Sequence, residues 1–356
     1  MRIGIIINNL FTEEVDYTTT HIAMAAVNRG HDVWYIDVDA FAIHPDDYTW
    51  AHAWRVPARR HRSTAVFYRE LTERARQGRR EPLALYELDI LLPRNDPSLD
   101  AIARPWARMA AIHFSRLATG NGVLVLNDPQ GLGLALTKLY MSYFPKEVRP
   151  RTLVTRDMDE ARAFIAREGR AILKPLSGSG GRGVFLVRPE DKPNLNQMFS
   201  AVSRDGYVIV QEFIEEAVHG DTRLFMLNAE PFKHKGKIAA IHRQRRPGDA
   251  DIRSNITAGA MAVKAQVKPE MLELARQVGP RLRQDGIFFA GLDIVGDKIL
   301  EINVQSPGGI DSAGKLEGVD FSVAFVQALE QKLAIKQKYA GEYSNAQLAV
   351  MKGDDH

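Results

Sequence analysis

The stretch Ala171-Ile-Leu-Lys-Pro-Leu-Ser-Gly-Ser-Gly-Gly-Arg-Gly-Val-Phe-Leu-Val187 decides the fold. An apolar run ends at Lys174-Pro175, a glycine-rich loop occupies residues 177–183, and a second apolar run begins at Val184. This order predicts a strand, a flexible flap and a second strand. Because glycines let the backbone approach a ligand and direct its N–H groups at phosphate oxygens, the flap is a candidate phosphate-binding site. Its candidate residues are Lys174, Ser177, Gly178, Ser179, Gly180 and Gly181.

Two familiar phosphate-binding loops do not match this stretch. A Walker loop carries its lysine after the glycines, in the pattern G-x-x-x-x-G-K-[ST], whereas Lys174 precedes them. A dinucleotide-binding fingerprint needs a helix after the glycines, and here β-branched and aromatic residues resume at once. A flexible hairpin turn without a ligand is the alternative interpretation, so the choice depends on the rest of the chain.

The composition bounds the class of protein. A chain of 356 residues is too long for one compact core and suits two or three subdomains. The formal net charge of +3 gives no reason to expect a nucleic-acid partner, although anionic ligands would be attracted. No apolar run reaches the length of a membrane span, and the N-terminus is expected to be a strand and not a signal peptide. The absence of cysteine excludes disulfides and thiolate metal sites and fits a cytoplasmic location.

The start of the chain predicts an α/β domain with a Rossmann-like parallel sheet. Arg2–Ile7 is almost continuously apolar, as a buried parallel strand is, and a helix over Thr18–Asn28 and a strand over residues 31–37 complete a βαβ unit. Residues 43–85 are expected to be irregular and then helical. Within them, the basic cluster at residues 59–62 is interpreted as solvated surface.

A strand over residues 88–92 runs into the loop Pro93-Arg94-Asn95-Asp96-Pro97. Loops just past the carboxyl ends of parallel strands are where such sheets bind ligands. Arg94 and Asp96 are therefore candidate substrate contacts, with ordinary surface residues as the alternative. Further on, the pattern predicts helices over residues 102–117 and 131–144, the second of which carries Lys138, and a strand over residues 122–127.

The middle of the chain alternates strands with polar segments. Strands are expected over residues 149–155, 207–214, 221–227 and 237–244, and helices over residues 157–167 and 269–284. The polar segment from Arg245 to Asn255 has the composition of a mobile loop. Four arginines between residues 243 and 253 could hold a carboxylate or a developing phosphate charge.

A hairpin over residues 288–304 places Asp293, Glu301 and Asn303 inside apolar strands. Burying a carboxylate there is costly without a partner, and oxygen ligands at this spacing suit Mg²⁺ held together with nucleotide phosphates. The alternative is a carboxylate paired to an arginine. A strict two-residue turn would pair Asp293 with Leu300, so a site shared with Glu301 requires a three-residue loop or a bulge.

The chain is expected to end in a helix followed by a polar tail. A glycine-rich loop over residues 306–314 precedes a final helix over residues 320–334. A polar tail over residues 336–356, with a disordered end, follows.

The motifs of the chain stand together in the order of a known family. They are Lys138 within Thr-Lys-Leu, Lys174 before the flap, the Val-Gln-Glu-Phe-Ile segment, Asp221-x-Arg223, Arg253-x-Asn255, and Gly-Leu-Asp-Ile-Val-Gly-Asp followed by Glu-Ile-Asn-Val-x-Ser-Pro. In this set and order the chain resembles bacterial glutathione synthetases, which are ATP-grasp ligases. The resemblance runs from the first strand to about residue 334.

The resemblance implies an ATP-grasp fold, mixed α/β, in which an N-terminal domain over residues 1–125 precedes two α+β subdomains. These are a lid with its linker over residues 126–205 and a larger, metal-bearing subdomain over residues 206–335. It implies ATP and two Mg²⁺ ions as cofactors, with Mn²⁺ as an alternative metal. The implied reaction joins γ-glutamylcysteine to glycine through an acyl phosphate, in the cytoplasm and within a homo-oligomer.

The resemblance also implies residue roles. Lys138 and Lys174 would contact the nucleotide phosphates beneath the flap, the segment Gln211, Glu212, Phe213 and Ile214 would hold adenine, and Asp221 would lie near the ribose or metal. Asp293, Glu301 and Asn303 would bind metal, while Arg223, Arg245, Arg253 and Asn255 would serve the acyl phosphate and tetrahedral intermediate. The loop over residues 246–254 would close over the reacting acyl phosphate.

The chain departs from the family pattern after Ser306-Pro307. The family has a threonine, a small residue, isoleucine and arginine, and here Gly308, Gly309, Ile310 and Asp311 follow. An anion in place of a cation predicts an altered peptide preference at a site lined by Ser306, Gly308, Gly309 and Asp311. The alternative is that Asp311 faces solvent and Arg94 or Arg243 anchors the carboxylate.

Three functions remain open on sequence alone. The first is a ligase of the glutathione synthetase type. The second is a carboxylate–amine ligase of the same fold that acts on other amino acids or peptides. The third is a non-catalytic nucleotide-binding protein, against which the three metal-ligand candidates argue.

Overall fold

The computed structural model describes residues 1–100, 103–178, 180–204, 206–245 and 260–353. In chain order, the strands within these ranges are β1 (Arg2–Ile7), β2 (Asp32–Asp37), β3 (Phe41–Ile43), β4 (Thr49–Arg55), β5 (Glu81–Ala84), β6 (Ile90–Pro93), β7 (Leu124–Val125), β8 (Thr152–Thr155), β9 (Ala171–Pro175), β10 (Phe185–Val187), β11 (Val208–Glu212), β12 (Gly220–Leu227), β13 (Glu230–Pro231), β14 (Lys233–His234), β15 (Lys237–Ile238), β16 (Ala240–Gln244), β17 (Met261–Lys264), β18 (Phe289–Val295) and β19 (Lys298–Asn303).

The α-helices of the same ranges are α1 (Thr18–Asn28), α2 (Thr64–Gln77), α3 (Pro97–Asp100), α4 (Ala110–Gly120), α5 (Pro129–Leu134), α6 (Met158–Glu168), α7 (Leu195–Ser203), α8 (Pro269–Gln284), α9 (Ile310–Glu317), α10 (Phe321–Lys338) and α11 (Asn345–Val350). Short 3₁₀ segments lie at Leu10–Thr12, Leu85–Glu87, Pro105–Arg108, Lys138–Tyr143, Lys146–Val148, Pro189–Asn194 and Glu215–His219. Within the described ranges, no helix is both long and apolar enough to cross a membrane.

The first sheet, called here the N-terminal sheet, has the strand order β3-β4-β2-β1-β6-β7, with β5 paired to β4. The strands β2, β1, β6 and β7 run parallel, and the apolar β1 lies between β2 and β6. The side chains of Ile3, Ile5 and Ile7 are buried there, as a strand covered on both faces requires. The predicted βαβ opening over β1, α1 and β2 is confirmed.

The expectation for residues 43–85 was partly wrong. The helix is present as α2, but β4 and β5 form an antiparallel extension of the N-terminal sheet where irregular chain was expected. The buried face of β4 is made of Thr49, Ala51 and Ala53, whose small side chains give little hydrophobic signal in the sequence. The larger Trp50 and Trp54 lie on the other, half-exposed face.

The second sheet, called here the flap sheet, has the antiparallel order β10-β9-β11-β8. Its helices α6 and α7 bury Phe164 and Phe199 against Leu173 and Val210. The strands β9 and β10 pair through Leu173 and Phe185, with the glycine-rich loop between them. The predicted order of strand, flap and strand is confirmed.

The third sheet, called here the central sheet, has the antiparallel order β17-β16-β12-β18-β19, with β13 paired to β12. Helix α8 packs on it through Leu274, Val278 and Leu282, in a core that includes Ile294 and Ile299 of the hairpin. The predicted helix over residues 269–284 and the predicted hairpin are confirmed.

Three helix boundaries differ from the sequence expectation. Helix α4 begins at Ala110, after a 3₁₀ segment that starts with Pro105. The helix expected over residues 131–144 ends at Leu134, so Lys138 begins a 3₁₀ segment and lies on no α-helix. Its backbone N–H donates to the carbonyl of Leu176, at 3.0 Å, and this bond to the flap sheet competes with helix continuation. The loop expected over residues 306–314 turns into α9 at Ile310.

The C-terminal segment is a packed element and not only a polar tail. Helix α10 continues to Lys338, and α11 buries Leu348, Ala349 and Val350. The side chain of Asn345 accepts from the backbone N–H of Val125, at 2.9 Å, and donates to the Val125 carbonyl and to Asp128, at 2.9 and 2.8 Å. It thus satisfies the free edge of β7 where another strand would otherwise be needed.

A glycine allows the segment that contains Asp128 and helix α11 to approach each other closely. Gly286 has φ +64°, and a Cβ there would lie 2.7 Å from the Cα of Ala346 and 2.6 Å from the Cβ of Asp128. Only a residue without a side chain fits between the two segments.

We expect Asn345→Ala to lower the free energy of unfolding by about 2–4 kcal/mol, because three buried-edge hydrogen bonds are lost, one of them to a carboxylate. Urea titration at neutral pH measures the change. The control is Asn194→Ala, since Asn194 is exposed and makes no capping bond with its side chain. Equal stability of the two variants would show that the C-terminal segment is only loosely attached.

Candidate active site

A cavity of about 1020 Å³ lies where the three sheets meet. The flap sheet covers one side of it, the central sheet forms the opposite side, and the ends of β1 and β6 close it off. The predicted site residues that line it are Lys138, Lys174, Ser177, Gly178, Gly180, Gly181, Gln211, Glu212, Phe213, Ile214, Asp221, Arg223, Asp293, Glu301, Asn303, Arg94, Asp96, Ser306, Gly308 and Gly309. Residues far apart in the sequence therefore meet in one cavity.

A row of charges crosses the central sheet on the face that lines the cavity. Strand pairing places Asp221 opposite Arg243, Arg223 opposite Asp293, and Asp293 opposite Glu301. Charges of both signs thus occupy neighbouring positions on β16, β12, β18 and β19. The two pairs of unlike charge stabilise the sheet and account for polar residues in the middle of apolar strands. Asp293 and Glu301 are like charges, and the arginines and lysines around them offset their repulsion.

Asp293 is the buried centre of this row. Arg223 donates to both of its carboxylate oxygens, at 2.7 and 2.8 Å, and Arg243 and Asn303 contact it at 2.8 and 3.0 Å. Burial alone would raise the pKa of Asp293, but the two arginines overcome it and lower the pKa to about 2. The alternative considered from sequence, a carboxylate paired to arginine, is therefore present in the structure.

The hairpin brings Glu301 beside Asp293 by means of a bulge. Val295 pairs with Lys298 and Ile294 with Ile299, after which the register shifts and Asp293 pairs with Glu301. Leu300 is the extra residue. The bulge that the sequence required for two carboxylates on one face is thus confirmed, and it corrects the strict register in which Leu300 would oppose Asp293.

Glu301 faces the cavity more openly than Asp293, with its side chain 35% exposed. Lys138 lies 3.0 Å from its carboxylate and also donates to the carbonyl of Gly178 in the flap, at 2.6 Å. Burial opposes ionisation of Glu301, yet the charges of Lys138 and Lys174 lower its pKa below the usual value. One lysine therefore links the central sheet to the flap.

Lys174 extends from β9 toward the same carboxylates. Its ammonium donates to the side-chain oxygen of Gln211 on β11, at 3.0 Å, and Gln211 in turn donates to Thr152. Burial, together with the like charge of Lys138, lowers the pKa of Lys174 to about 8, although the charges of Glu301 and Asp293 oppose that shift. A second flap contact comes from Arg108, which donates to the hydroxyl of Ser177 at 3.0 Å.

The segment from Gln211 to Ile214 runs along the cavity edge. The carboxylate of Glu212 accepts from the backbone N–H of Arg151 at 2.7 Å and pairs with its guanidinium, so it is already engaged. Any ligand held along Gln211, Glu212, Phe213 and Ile214 would have to use their backbone and apolar surface.

The end of the cavity nearest the N-terminal sheet contains Arg94 and the glycines after Pro307. Arg94 is buried, donates to Thr19 and to the carbonyl of Pro307 at 3.4 and 3.2 Å, and lies 5.7 Å from the ring centroid of Phe289. Burial lowers the pKa of Arg94 to about 10. Asp96 accepts from the N–H of Ser98 at 2.9 Å and so shapes its own loop.

Gly309 cannot be replaced without movement. Its φ is +102°, and a Cβ would lie 2.8 Å from Ile241. Its N–H and that of Ile310 donate to the hydroxyl of Thr18, at 3.1 and 3.3 Å, which joins the start of α9 to the start of α1.

Several predicted site residues do not line this cavity. Asp311 lies in the first turn of α9, where it pairs with Lys315 at 2.8 Å and approaches His21 at 3.3 Å. Its charge is therefore compensated, and the expectation that it repels a substrate at the peptide site lacks geometric support. Arg245 lines a neighbouring cavity next to β17. Ser179, Arg253, Asn255 and the loop over residues 246–254 lie outside the described residues.

Three residues that sequence reasoning left out or underrated contact the cavity. Arg243 bridges Asp221 and Asp293, although the sequence suggested it only as one of four arginines that could hold an anionic ligand and as an alternative anchor. Glu13 and Arg108 were not considered at all. The rule that ligands bind past the carboxyl ends of parallel strands was applied to β6, and applying it to β1 would have found Glu13.

Comparison with known proteins agrees with this geometry. The model of the prokaryotic glutathione synthetase N-terminal domain matches residues 1–133, and that of the prokaryotic glutathione synthetase ATP-grasp domain matches residues 137–318. A glutathione synthetase of Gloeobacter violaceus is 35% identical over 332 residues, which cover 90% of this chain and 93% of that protein. One of Bradyrhizobium diazoefficiens is 36% identical over 253 residues, covering 70% and 76% respectively.

Solved structures show the same fold at low identity. A D-cycloserine synthetase superposes with a TM-score of 0.63 at 14% identity, covering 94% of this chain and all of that one. A D-alanyl-alanine synthetase from Vibrio cholerae gives a TM-score of 0.57 at 12% identity, covering 94% and 99%. The chain therefore belongs to the prokaryotic glutathione synthetase family and is an ATP-dependent carboxylate–amine ligase with an ATP-grasp fold.

Proposed function

We propose that this enzyme forms glutathione from γ-glutamylcysteine and glycine while converting ATP to ADP and phosphate. The observation that carries the proposal is the match of both halves of the chain, in order, to the two domains of one glutathione synthetase family. A non-catalytic binding role is excluded by that membership.

The chemistry proceeds in two steps. The carboxylate of the cysteine residue attacks the γ-phosphorus of ATP, so that an acyl phosphate forms and ADP leaves. The glycine amine, deprotonated, then attacks the acyl carbon, and the carbon–oxygen bond to phosphate breaks. Negative charge accumulates at the reacting atoms in both steps. Catalysis therefore depends on cations placed to stabilise that charge, and the protein needs to form no covalent bond with the substrates.

In this proposal the two lysines hold the phosphates. Lys138 and Lys174 both reach toward Glu301 from beside the flap, and the flap over residues 177–183 would fold over the nucleotide. Arg223, whose Nη1 donates to the Gly308 carbonyl at 3.2 Å, would face the acyl phosphate and the tetrahedral intermediate. A covered cavity also keeps water from hydrolysing the acyl phosphate.

Asp293, Glu301 and Asn303 fit a magnesium site by their chemistry. They present oxygen atoms on one face of the hairpin, and their carboxylates are ionised at neutral pH because nearby cations lower both pKa values. Each carboxylate oxygen has more than one lone pair, so Asp293 can keep its arginines and still share an oxygen. Two Mg²⁺ ions, or Mn²⁺, would neutralise phosphate charge when ATP binds.

A second candidate is a ligase for another acid or amine, and the glycines after Pro307 favour it. A Cβ added at Gly308 would meet no atom within 4 Å, so the space that the family fills with threonine is open here. A larger acceptor than glycine would fit that space. We further propose a homo-oligomer in the cytoplasm, in keeping with the family and with the absence of cysteine.

The first test is the product. With γ-glutamylcysteine, glycine and Mg²⁺, we expect ADP release that depends on both substrates, and mass spectrometry should find glutathione. Reactions with other acids and with larger amines run in parallel. If ADP release is faster with a different pair and absent with γ-glutamylcysteine, the substrate assignment is wrong, although the ligase class stands.

The pH dependence of ATP binding tests Lys174. Its pKa of about 8 means that its ammonium is lost as the pH rises from 8 to 9.5. We expect the Kd for ATP to rise about tenfold per pH unit above 8 in the wild type. In Lys174→Ala the Kd should be raised roughly 10- to 150-fold at pH 7, through loss of a charged hydrogen bond, and should no longer depend on this titration.

Isothermal titration calorimetry measures both effects. Lys146→Ala is the control, because Lys146 is exposed and lies outside the cavity lining. A wild-type Kd that stays constant between pH 7 and 9.5 would contradict the assignment of Lys174 to the phosphates.

The magnesium site is tested with Glu301→Gln. Because one charged ligand is replaced by a neutral isostere, we expect the Mg²⁺ concentration for half-maximal ADP release to rise at least about tenfold. Asp297→Asn is the control, since this exposed carboxylate lies at the turn of the same hairpin. Identical Mg²⁺ curves for Glu301→Gln and the wild type would remove Glu301 from the metal site.

A further inference from the structure

The carboxylate of Glu13 lies at the end of the cavity and forms no ion pair with a described residue. It follows β1 and the 3₁₀ segment Leu10–Thr12, and it lines the cavity. Its Oε2 is buried and has no hydrogen-bond partner among the described residues. Burial raises the pKa of Glu13 to about 7, although the charge of Arg94 opposes that shift.

Arg94 is a buried cation in the same place. Its guanidinium donates only to the neutral oxygens of Thr19 and Pro307, and no carboxylate of a described residue lies within 4.0 Å of it. Arg94 and Glu13 attract each other across space, yet they do not form an ion pair. A buried cation and a carboxylate with a buried oxygen thus face one cavity, each without a charged partner in contact among the described residues.

Such an arrangement is costly unless a ligand completes it. Burying an ion without a partner is strongly unfavourable, and direct pairing of the two side chains would remove that penalty. A gap between them offers two separate attachment points, a carboxylate for a cation and a guanidinium for an anion. We propose that Glu13 and Arg94 together bind a free α-amino-acid head group, with the ammonium on Glu13 and the carboxylate on Arg94.

This inference rests on the proposed function and names the determinant of its acid substrate. In a γ-glutamyl peptide, the ammonium and the carboxylate of the glutamyl residue are attached to the same carbon, at the end remote from the reacting carboxylate. In an ordinary α-linked dipeptide, the first residue has lost that carboxylate to the peptide bond. Arg94, which would hold that carboxylate, therefore selects γ-linked acids over α-linked ones, and Glu13 adds a preference for a free amine on the same carbon.

The head group cannot be the glycine substrate. Its amine must be free to attack the acyl carbon, and an ammonium held on a buried carboxylate is withdrawn from that reaction. The acid substrate has no such conflict, because its amine takes no part in the chemistry.

The cavity also connects the proposed head-group site with the residues proposed to hold the phosphates. Arg94 donates to the carbonyl of Pro307, and Arg223 donates to the carbonyl of the next residue, Gly308. The head-group end and the charged row of the central sheet are thus anchored on consecutive residues. An extended dipeptide reaches about 7 Å, which suits one molecule that contacts both ends.

The experiment combines an enzyme variant with a substrate variant. Calorimetry at pH 8, with a non-hydrolysable ATP analogue and Mg²⁺, measures the binding of γ-glutamylcysteine and of N-glutarylcysteine, which lacks only the amine. For the wild type we expect γ-glutamylcysteine to bind at least tenfold more tightly. In Glu13→Gln this preference should fall to about onefold, while the affinity for N-glutarylcysteine is unchanged or improved.

The neighbouring Glu14→Gln is the matched control, because Glu14 is exposed and does not line the cavity, and it should keep the wild-type preference. Glu13→Leu serves as a second variant and should behave as Glu13→Gln does. Both should fold, since each removes a buried charge.

The pH dependence of substrate affinity adds a second measurement, which would not change if Glu13 had only a structural role. Affinity of the wild type for γ-glutamylcysteine should rise about tenfold as the pH increases from 6 to 7 and level off above it, whereas Glu13→Gln should be flat. The charged and titratable groups that face Glu13 are Arg94, Tyr35, Tyr68, Tyr17, Asp37 and Glu14. The variant separates their contribution from that of Glu13 itself.

The outcomes distinguish this inference from the proposed function. Equal binding of the two acids by the wild type, or an equal loss for both acids in Glu13→Gln, overturns the head-group assignment even if glutathione is formed. A preference that disappears in Glu13→Gln supports it, even if glycine proves not to be the acceptor.

Discussion

The buried carboxylate of Asp293, held between Arg223 and Arg243, is the interaction on which the site depends. A charge in the middle of a sheet can be buried only if its neighbours on adjacent strands compensate it. The register of β12, β16 and β18 supplies that compensation, and the bulge at Leu300 adds Glu301 to the same face. A face of this kind cannot be covered by an apolar layer. The flap sheet therefore leaves a cavity above it.

The balance of charge explains what the cavity is suited to hold. Along the row and above it, the cations of Arg223, Arg243, Lys138 and Lys174 exceed the carboxylates of Asp221, Asp293 and Glu301 by little. The triphosphate of ATP brings more negative charge than this small excess can neutralise. Metal ions that enter with the nucleotide would supply the difference, and the carboxylates already stand where such ions would need oxygen ligands.

The sequence predicted what depends on strong local patterns. Apolar strands, the glycine-rich flap, α8 and the hairpin were found because periodicity and turn residues mark them directly. Even the bulge followed from requiring Asp293 and Glu301 on one face. The strand β4 was missed because its buried residues are small, and Lys138 was assigned to a helix because a tertiary bond to Leu176 leaves no local trace. The pairing of Asp311 with Lys315 was not foreseen for a related reason, since it depends on a helix that begins one residue earlier.

The two ends of the cavity differ in how many hydrogen bonds attach them to the rest of the protein. Asn127 donates to the carbonyls of Phe289 and Val304, at 2.9 and 2.7 Å, and accepts from the N–H of Phe289, so it joins the N-terminal half to the central sheet. Asn345 and Thr18 add further bonds across the same joint. The flap sheet has lighter ties, among them the contacts of Lys138 and Arg108 with the flap. The acid substrate would thus bind between elements that stay together, and access for ATP would come from movement of the flap sheet alone.

Lys138 contacts both Glu301 and Gly178 and so links the central sheet to the flap. Phosphate binding at Lys138 would replace this link, which now closes the cavity. Entry of the nucleotide would therefore be coupled to release of the flap.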